Sequence, residues 1–207
     1  MTGRQDPSSA SNGRREATKE RNRELILSAG RDVFATVGYG AATVRDLIRA
    51  SGLATGTFYN YFPDKESVFM ALVESSATEL RAKLAASRAD ATSPETFVSD
   101  GFLVFFTYLA NDPTFLGLLG RNAGDVRALL EEPALGGAVE ELDRDLRDAV
   151  ARGDIPKLDA DLMAAAMSGA ALELGLRMLE RDDCTPEQAA RFATDLFLGG
   201  IERLGSS

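Results

Sequence analysis

Apolar residues recur at three- and four-residue intervals along most of this 207-residue chain, and this spacing restricts its fold more than any other feature. The first clear example runs through Ile26, Ala29, Val33 and Phe34, which share one face of a helix. No segment shows the strict alternation of apolar and polar residues that is typical of a half-buried strand. The sequence therefore predicts an all-α fold.

Residues that begin or end helices divide this pattern near the N-terminus. Gly38 is expected to end the first helix, and Thr43 with Asp46 forms a capping box that starts a short one over 44–50. A tight turn at Ser51-Gly52-Leu53 leads to a second short helix over 55–61, which ends before Pro63. Two short helices joined by a three-residue turn that contains glycine make a helix-turn-helix.

The rest of the chain reads as helix as well. A longer helix is expected to open at 63–66, and the later ones start at a cap, a capping box or an N1 proline. Pro133 and Gly136-Gly137 are expected to interrupt one of them. The later predicted segments are a helix from Ser93-Pro94-Glu95 to about 111, a short piece over 114–119, a helix from about 125, its continuation over 138–152, one from 159 to 179, and a last one from Thr185.

Scarce residue types exclude several kinds of site. The chain has no histidine, which rules out the usual zinc-ligand sets and triads of the Ser-His-Asp or Cys-His kind. One cysteine, Cys184, allows no intrachain disulfide and fits a reducing compartment. The polar N-terminus lacks a secretory signal, and Glu173 and Arg177 within the apolar segment 162–179 favour a buried helix over a membrane span. We expect a cytoplasmic protein without metal, cofactor or membrane partner.

Charge is unevenly distributed along the chain. Residues 1–66 carry a net charge of +2 and the remaining residues carry a net charge of −11. The two parts together give the net charge of −9 of the whole chain. A basic segment attached to an acidic body suggests a polyanionic partner for the basic segment. So small an excess fits chance variation equally well.

The helix-turn-helix region carries a recognisable motif. Thr43-Val44-Arg45-Asp46-Leu47-Ile48 is followed by Ser51-Gly52-Leu53-Ala54-Thr55-Gly56-Thr57-Phe58-Tyr59-Asn60-Tyr61-Phe62-Pro63-Asp64-Lys65-Glu66. These residues, with Phe34-Ala35-Thr36-Val37-Gly38-Tyr39 upstream, closely resemble the tetracycline-repressor (TetR) family of bacterial transcription regulators. The resemblance covers residues 20–70 strongly, whereas the remainder agrees only in length and helical pattern.

The resemblance implies a role for individual residues. It assigns phosphate contacts to Thr43, Tyr59, Tyr61 and Lys65, and base recognition to Thr55, Gly56, Thr57 and Asn60. Physical reasoning agrees, because short or flat polar side chains suit a major groove about 12 Å wide. Arg45 is a further candidate phosphate contact, Phe58 and Phe62 are expected in the core, and a basic arm is formed by Arg14, Arg15, Lys19, Arg21 and Arg23, although Glu16 and Glu20 weaken it.

Two positions depart from the family pattern. Ala54 stands where serine is common, so the second short helix lacks its usual hydroxyl cap, at a cost of about 1 kcal/mol. Thr55 replaces a common lysine or proline and removes one possible charged contact. Neither difference changes the predicted fold. Because both affect the recognition helix, the operator sequence cannot be predicted from the resemblance.

The acidic part of the chain contains no enzyme motif, and catalysis is not expected. The resemblance implies that this part binds a small molecule and forms a homodimer through its last two helices. Candidate ligand contacts are Phe102, Phe105, Phe106, Leu109, Leu118, Arg121, Asn122, Met163, Met167, Glu173 and Arg177. Candidate dimer contacts are Leu172, Leu176, Phe192, Leu196, Phe197 and Gly200, the alternative being that these residues form the core of a monomer.

Together these features predict three segments: a disordered tail over 1–13, a three-helix DNA-binding domain over 14–66, and a larger helical domain for effector binding and dimerisation over 67–207. The hypothesis is a repressor that binds a palindromic operator in double-stranded DNA as a homodimer and is released by a hydrophobic or amphipathic small molecule. The alternative is a helical ligand-binding or scaffold protein that has no specific operator.

Overall fold

The computed structural model describes residues 7–112 and 133–205, and in these two ranges the regular structure is entirely helical. The expectation of an all-α fold is therefore confirmed. The helices are α1 (Pro7–Val37), α2 (Val44–Ser51), α3 (Thr55–Tyr59), α4 (Lys65–Asp90), α5 (Pro94–Asn111), α6 (Pro133–Arg152), α7 (Ala160–Leu179) and α8 (Pro186–Gly205).

The chain divides into two compact units, Met1–Val73 and Glu74–Ser207. The division falls inside α4, seven residues beyond the boundary expected from the sequence. The core of the first unit is formed by side chains from α1 to α4 that are almost completely buried, namely Ile26, Phe34, Leu47, Phe58, Phe62 and Val68. Phe58 and Phe62 are thus core residues, as the sequence predicts.

Close packing of α1 on α4 depends on Gly30. A Cβ atom at this position would lie 2.7 Å from Cγ1 of Val68 and 3.3 Å from Cδ1 of Leu72. No side chain fits there unless these neighbours shift. Gly30 therefore sets the distance at which α1 crosses the start of α4.

The first helix begins earlier than expected. The sequence predicts a disordered tail over residues 1–13, but α1 already begins at Pro7, and residues 1–6 lie outside the described part of the chain. Residues 13–21 are exposed, so this part of α1 has no apolar face. Apolar periodicity cannot reveal a helical segment whose residues are all exposed. The signal that was available is Pro7, because proline is favoured at the first position of a helix.

The second unit is organised around α5 and α8. Phe102 of α5 stacks on Phe197 of α8 with 5.6 Å between ring centroids, and on Phe106 at 6.1 Å. Tyr108 joins α5 to α4, because its hydroxyl donates a hydrogen bond of 3.1 Å to the carbonyl of Ser76. These contacts bury much of the aromatic cluster that the sequence assigns to a ligand.

The predicted interruption at Gly136-Gly137 is wrong, because α6 is continuous over Pro133–Arg152. The predicted interruption at Pro133 involves preceding residues that lie outside the described part of the chain. Proline is tolerated as the first residue of a helix, where its missing N–H costs nothing. Gly137 lies inside this helix, and a Cβ atom there would lie 2.6 Å from a guanidinium nitrogen at the flexible end of Arg81. The predicted segments 114–119 and 125–132 lie outside the described residues.

Helix α7 is buried along only one stripe, which consists of Ala160, Ala164, Met167, Ala171, Gly175 and Met178. In the described part of the chain it is the single helix long and apolar enough to cross a membrane. Leu162, on another face, is 67% exposed. Within the described part of the chain, α7 is therefore covered along one side only.

Candidate nucleic-acid interface

The start of α2 is fixed by the capping box that the sequence predicts. The amide of Asp46 donates to the Thr43 hydroxyl at 3.3 Å, and the amide and hydroxyl of Thr43 donate to Oδ2 of Asp46 at 3.1 and 2.6 Å. Oδ1 of Asp46 accepts from Arg49 at 2.8 Å. The hydrogen bonds from Thr43, supported by Arg49, hold the pKa of Asp46 below its usual range. The neighbouring Arg45 is exposed.

The turn between α2 and α3 rests on two residues. Gly52 ends α2 with φ of 68°, in the left-handed region that favours glycine. The buried Ser51 donates its hydroxyl to the carbonyl of Ile48 at 3.0 Å and accepts from the amide of Leu53 at 3.4 Å. The sequence indicates the glycine, whereas the bridging role of the serine was not predicted.

Helix α3 has one buried and one exposed side. Phe58 is fully buried and anchors the helix in the core, while Tyr59 is 51% exposed. Thr55, Gly56 and Asn60 are also exposed, and Thr57 is half-buried. Ala54 starts the helix without a side-chain hydrogen bond, as expected. The predicted recognition residues thus lie on a firmly anchored helix, and most of them are open to solvent.

Two contacts join the segment that follows α3 to α1. The side-chain amide of Asn22 donates to the hydroxyl of Tyr61 at 3.3 Å. The guanidinium of Arg23 lies 5.9 Å from the centre of the Phe62 ring. Tyr61 is half-buried, and because its hydroxyl accepts from Asn22, its own proton is free to be donated to another acceptor.

Lys65 is engaged with the loop between α1 and α2. Its ammonium donates to the carbonyls of Tyr39 and Ala42, both at 2.9 Å, and reaches the carbonyl of Gly40 at 3.5 Å. It also lies 4.6 Å from the centre of the Tyr39 ring. Since an ammonium group has three donors, a phosphate contact would have to replace one of these bonds. These contacts of Lys65 with the loop were not predicted.

Most of the described residues predicted to contact a ligand have structural partners. Phe102, Phe106, Leu109 and Met167 are buried, and Phe105 and Met163 are half-buried. Glu173 and Arg177 form an ion pair of 3.0 Å on the exposed side of α7. Leu118, Arg121 and Asn122 lie outside the described residues.

A cavity of about 600 Å³ lies elsewhere, among the end of α4, the start of α5, α6 and the segment that follows it. Its apolar lining includes Phe97, Val98, Leu146 and Ile155, and none of the predicted ligand residues contributes to it. The prediction concentrated on aromatic residues at helical spacing, which serve here as core. A cavity between helix ends has no comparable pattern in the sequence.

One wall of this cavity is an ion cluster between α4 and α6. Arg88, whose side chain is 12% exposed, pairs with Glu141 at 2.9 Å and with Asp145 at 2.6 Å. Arg81 reaches the other oxygen of Glu141 at 2.6 Å. The hydrogen bonds and positive charge of Arg81, with those of Arg88, keep the pKa of Glu141 below its ordinary value.

The predicted dimer residues have different environments. Phe192 and Leu196 are exposed by 59% and 54%, respectively. Leu172, Leu176 and Gly200 are half-buried, whereas Phe197 stacks within the subunit on Phe102. Leu162 of α7 and Leu204 of α8 are further exposed apolar residues that were not predicted.

Comparison with known proteins agrees with the helix-turn-helix. Residues 26–72 match the family model described as bacterial regulatory proteins, tetR family. The HTH-type transcriptional repressor AcnR of Corynebacterium glutamicum is 41% identical over 59 residues, which are 28% of this chain and 31% of that protein. The resemblance to the TetR family is confirmed. The segment of about 60 residues that matches AcnR and the other curated relatives spans about a third of their length.

Solved structures extend the likeness to the fold of the second unit. The fatty acid degradation regulator FadR from Bacillus halodurans is 25% identical with a TM-score of 0.77, and covers 87% of this chain and 96% of its own. The transcriptional regulator FadR from Bacillus subtilis, solved with stearoyl-CoA, is 22% identical with a TM-score of 0.76. The match covers 86% of this chain and 98% of that protein's chain. Identities this low show a shared fold.

Proposed function

We propose that this chain, of which residues 26–72 match the model of bacterial regulatory proteins of the tetR family, is a ligand-responsive transcription regulator. The observation that carries the proposal is α3, which is anchored by Phe58 and exposes Thr55, Gly56, Tyr59 and Asn60. The repressors among its relatives favour repression over activation. Catalysis forms no part of the proposed role.

DNA contacts are proposed in two groups. Thr55, Gly56, Thr57 and Asn60 enter the major groove, where Asn60 is suited to a bidentate contact with adenine. The phosphate contacts are Thr43, Arg45, Tyr59 and Tyr61, with Lys65 acting mainly through the loop that it holds. Arg45 is exposed, and Tyr61 keeps its hydroxyl proton available.

A homodimer is proposed through the exposed apolar face of α7 and α8. Phe192 and Leu196 of α8 are exposed, and Leu172 and Leu176 of α7 are half-buried. Large apolar side chains at several exposed positions favour a protein interface. Two-fold symmetry would pair two α3 helices on a palindromic operator in the cytoplasm.

The effector is proposed to be a hydrophobic or amphipathic small molecule. One supporting comparison is the regulator of the same fold that was solved with stearoyl-CoA. The cavity beside Arg88 combines an apolar lining with charged groups, and it suits such a molecule better than the filled aromatic cluster does. The ligand would release DNA by favouring a spacing of the two α3 helices that no longer matches successive major grooves.

Selection of bound duplexes from a random double-stranded pool tests this proposal. Wild-type protein is expected to enrich a palindrome, and Asn60→Ala is expected to relax the sequence preference at one position in each half-site. Enrichment without a common sequence would overturn the regulator proposal and favour a helical ligand-binding or scaffold protein.

A further inference from the structure

The exposed part of α1 carries basic residues at four-residue spacing. Arg15, Lys19 and Arg23 follow one another at this interval, and Arg15 and Lys19 are exposed. A step of four residues advances the side chain by only about 40° around an α-helix. The three residues therefore form a continuous stripe along α1, referred to below as the basic stripe.

The basic stripe continues the side of α1 that faces the helix-turn-helix. Arg15 and Lys19 lie within about 20° of Ile26 around the helix axis, and Ile26 is completely buried in the first unit. Asn22 shares this side and donates to the Tyr61 hydroxyl. The side of α1 that carries Ile26 is thus apolar where the helix packs in the core and basic where the helix extends beyond the core.

The charges of this segment are sorted and not paired. Glu16, Glu20 and Glu24 also recur every fourth residue and form a separate stripe beside the basic one. Within residues 13–25, for which side chains are described, no ion pair joins the two stripes. The exposed Arg15 and Lys19 are therefore available to an external anion, while Arg23 lies over the Phe62 ring.

We propose that the basic stripe is a second DNA-contacting surface, which binds the phosphate backbone beside the site read by α3. The proposal rests on the DNA-binding function proposed above. Charge complementarity selects the partner, and the contacts of Asn22 and Arg23 with Tyr61 and Phe62 place the stripe next to the recognition motif. Arg15 lies about 16 Å along the helix from Ile26. This length equals roughly five base pairs of DNA, so the stripe is long enough to contact phosphates beside the site that α3 reads.

The test compares two double variants that lose the same charge from α1. Arg15→Gln/Lys19→Gln removes the stripe. Arg14→Gln/Arg21→Gln is the matched control, because these two residues, although part of the basic arm expected from the sequence, lie about 120–140° around the helix from the midpoint between Arg15 and Lys19. All four positions are exposed, so circular dichroism is expected to show unchanged helix content.

Affinity for the selected site is then measured over a range of salt concentrations. The stripe variant is expected to lower the slope of log K against log salt by about 1.8 per subunit, and the control is expected to change it much less. Removing the base pairs that flank the site is expected to erase the difference between wild type and the stripe variant. An equal effect of both variants, or no effect of either, would overturn the proposal.

These outcomes differ from failure of the proposed function. Should the wild-type protein enrich no specific sequence, the same two variants are compared on random duplex, where phosphate contacts dominate binding. A lower slope for the stripe variant alone would still support the basic stripe, while the regulator proposal would be lost.

Discussion

Lys65→Met tests whether Lys65 acts on DNA directly or through the loop between α1 and α2. The substitution keeps a side chain of similar length but removes the two hydrogen bonds of 2.9 Å to the carbonyls of Tyr39 and Ala42. Hydrogen bonds from a charged donor contribute about 1.5–3 kcal/mol each. Because the ammonium is partly exposed, we take the lower end and expect a loss of about 3 kcal/mol in the free energy of unfolding.

Two measurements separate the alternatives. Urea denaturation is expected to show this loss for Lys65→Met, while Lys83→Met, which removes a charge from the same helix in an exposed pair with Glu79, is expected to change stability by less than about 0.5 kcal/mol. The salt slope of DNA binding is expected to stay near that of wild type for Lys65→Met. Wild-type stability together with a slope lowered by about 0.9 would refute this reasoning and show a phosphate contact.

Three further substitutions test other parts of the structure. Gly30→Ala is expected to destabilise by about 1–3 kcal/mol, because its Cβ would lie 2.7 Å from Val68, whereas Gly101→Ala, with open space around it, is the neutral or stabilising control in urea denaturation. Glu141→Gln is expected to cost about 2 kcal/mol at pH 7. The folded-state pKa of Glu141 lies below the ordinary 4.5, so its stabilisation is present above that value and is lost as the pH falls through the folded pKa. Urea midpoints from pH 7 to 3 should therefore fall less steeply in the variant, and parallel curves would count against the ion cluster. Leu196→Glu is expected to give a folded monomer by sedimentation, because this side chain is 54% exposed in the subunit; a persistent dimer would exclude this face as the interface.

Local sequence signals predicted the helix-turn-helix in detail. Thr43 and Asp46 form the expected capping box, and Gly38 and Gly52 adopt positive φ at the expected helix ends. Each of these features depends on residues that are close in sequence. Short-range chemistry therefore sufficed to place α2 and α3 and the residues exposed on them.

Features that depend on distant residues were missed. The role of Lys65 requires carbonyls more than twenty residues away, and the cavity beside Arg88 arises only when α4, α5 and α6 pack together. Aromatic residues such as Phe102 and Phe106 have the same spacing whether they fill a core or line a cavity. Glu173 and Arg177 are different, because their separation of four residues on a helix already allows the ion pair that the structure shows as the alternative to ligand anchors.

The central claim, that α3 reads a specific operator, is tested most directly by one ratio. Affinity for the selected palindrome is measured at physiological salt against affinity for a scrambled duplex of the same length and base composition. Binding to the palindrome is expected to be at least about 10³-fold tighter. Equal affinity for the two duplexes would contradict this claim.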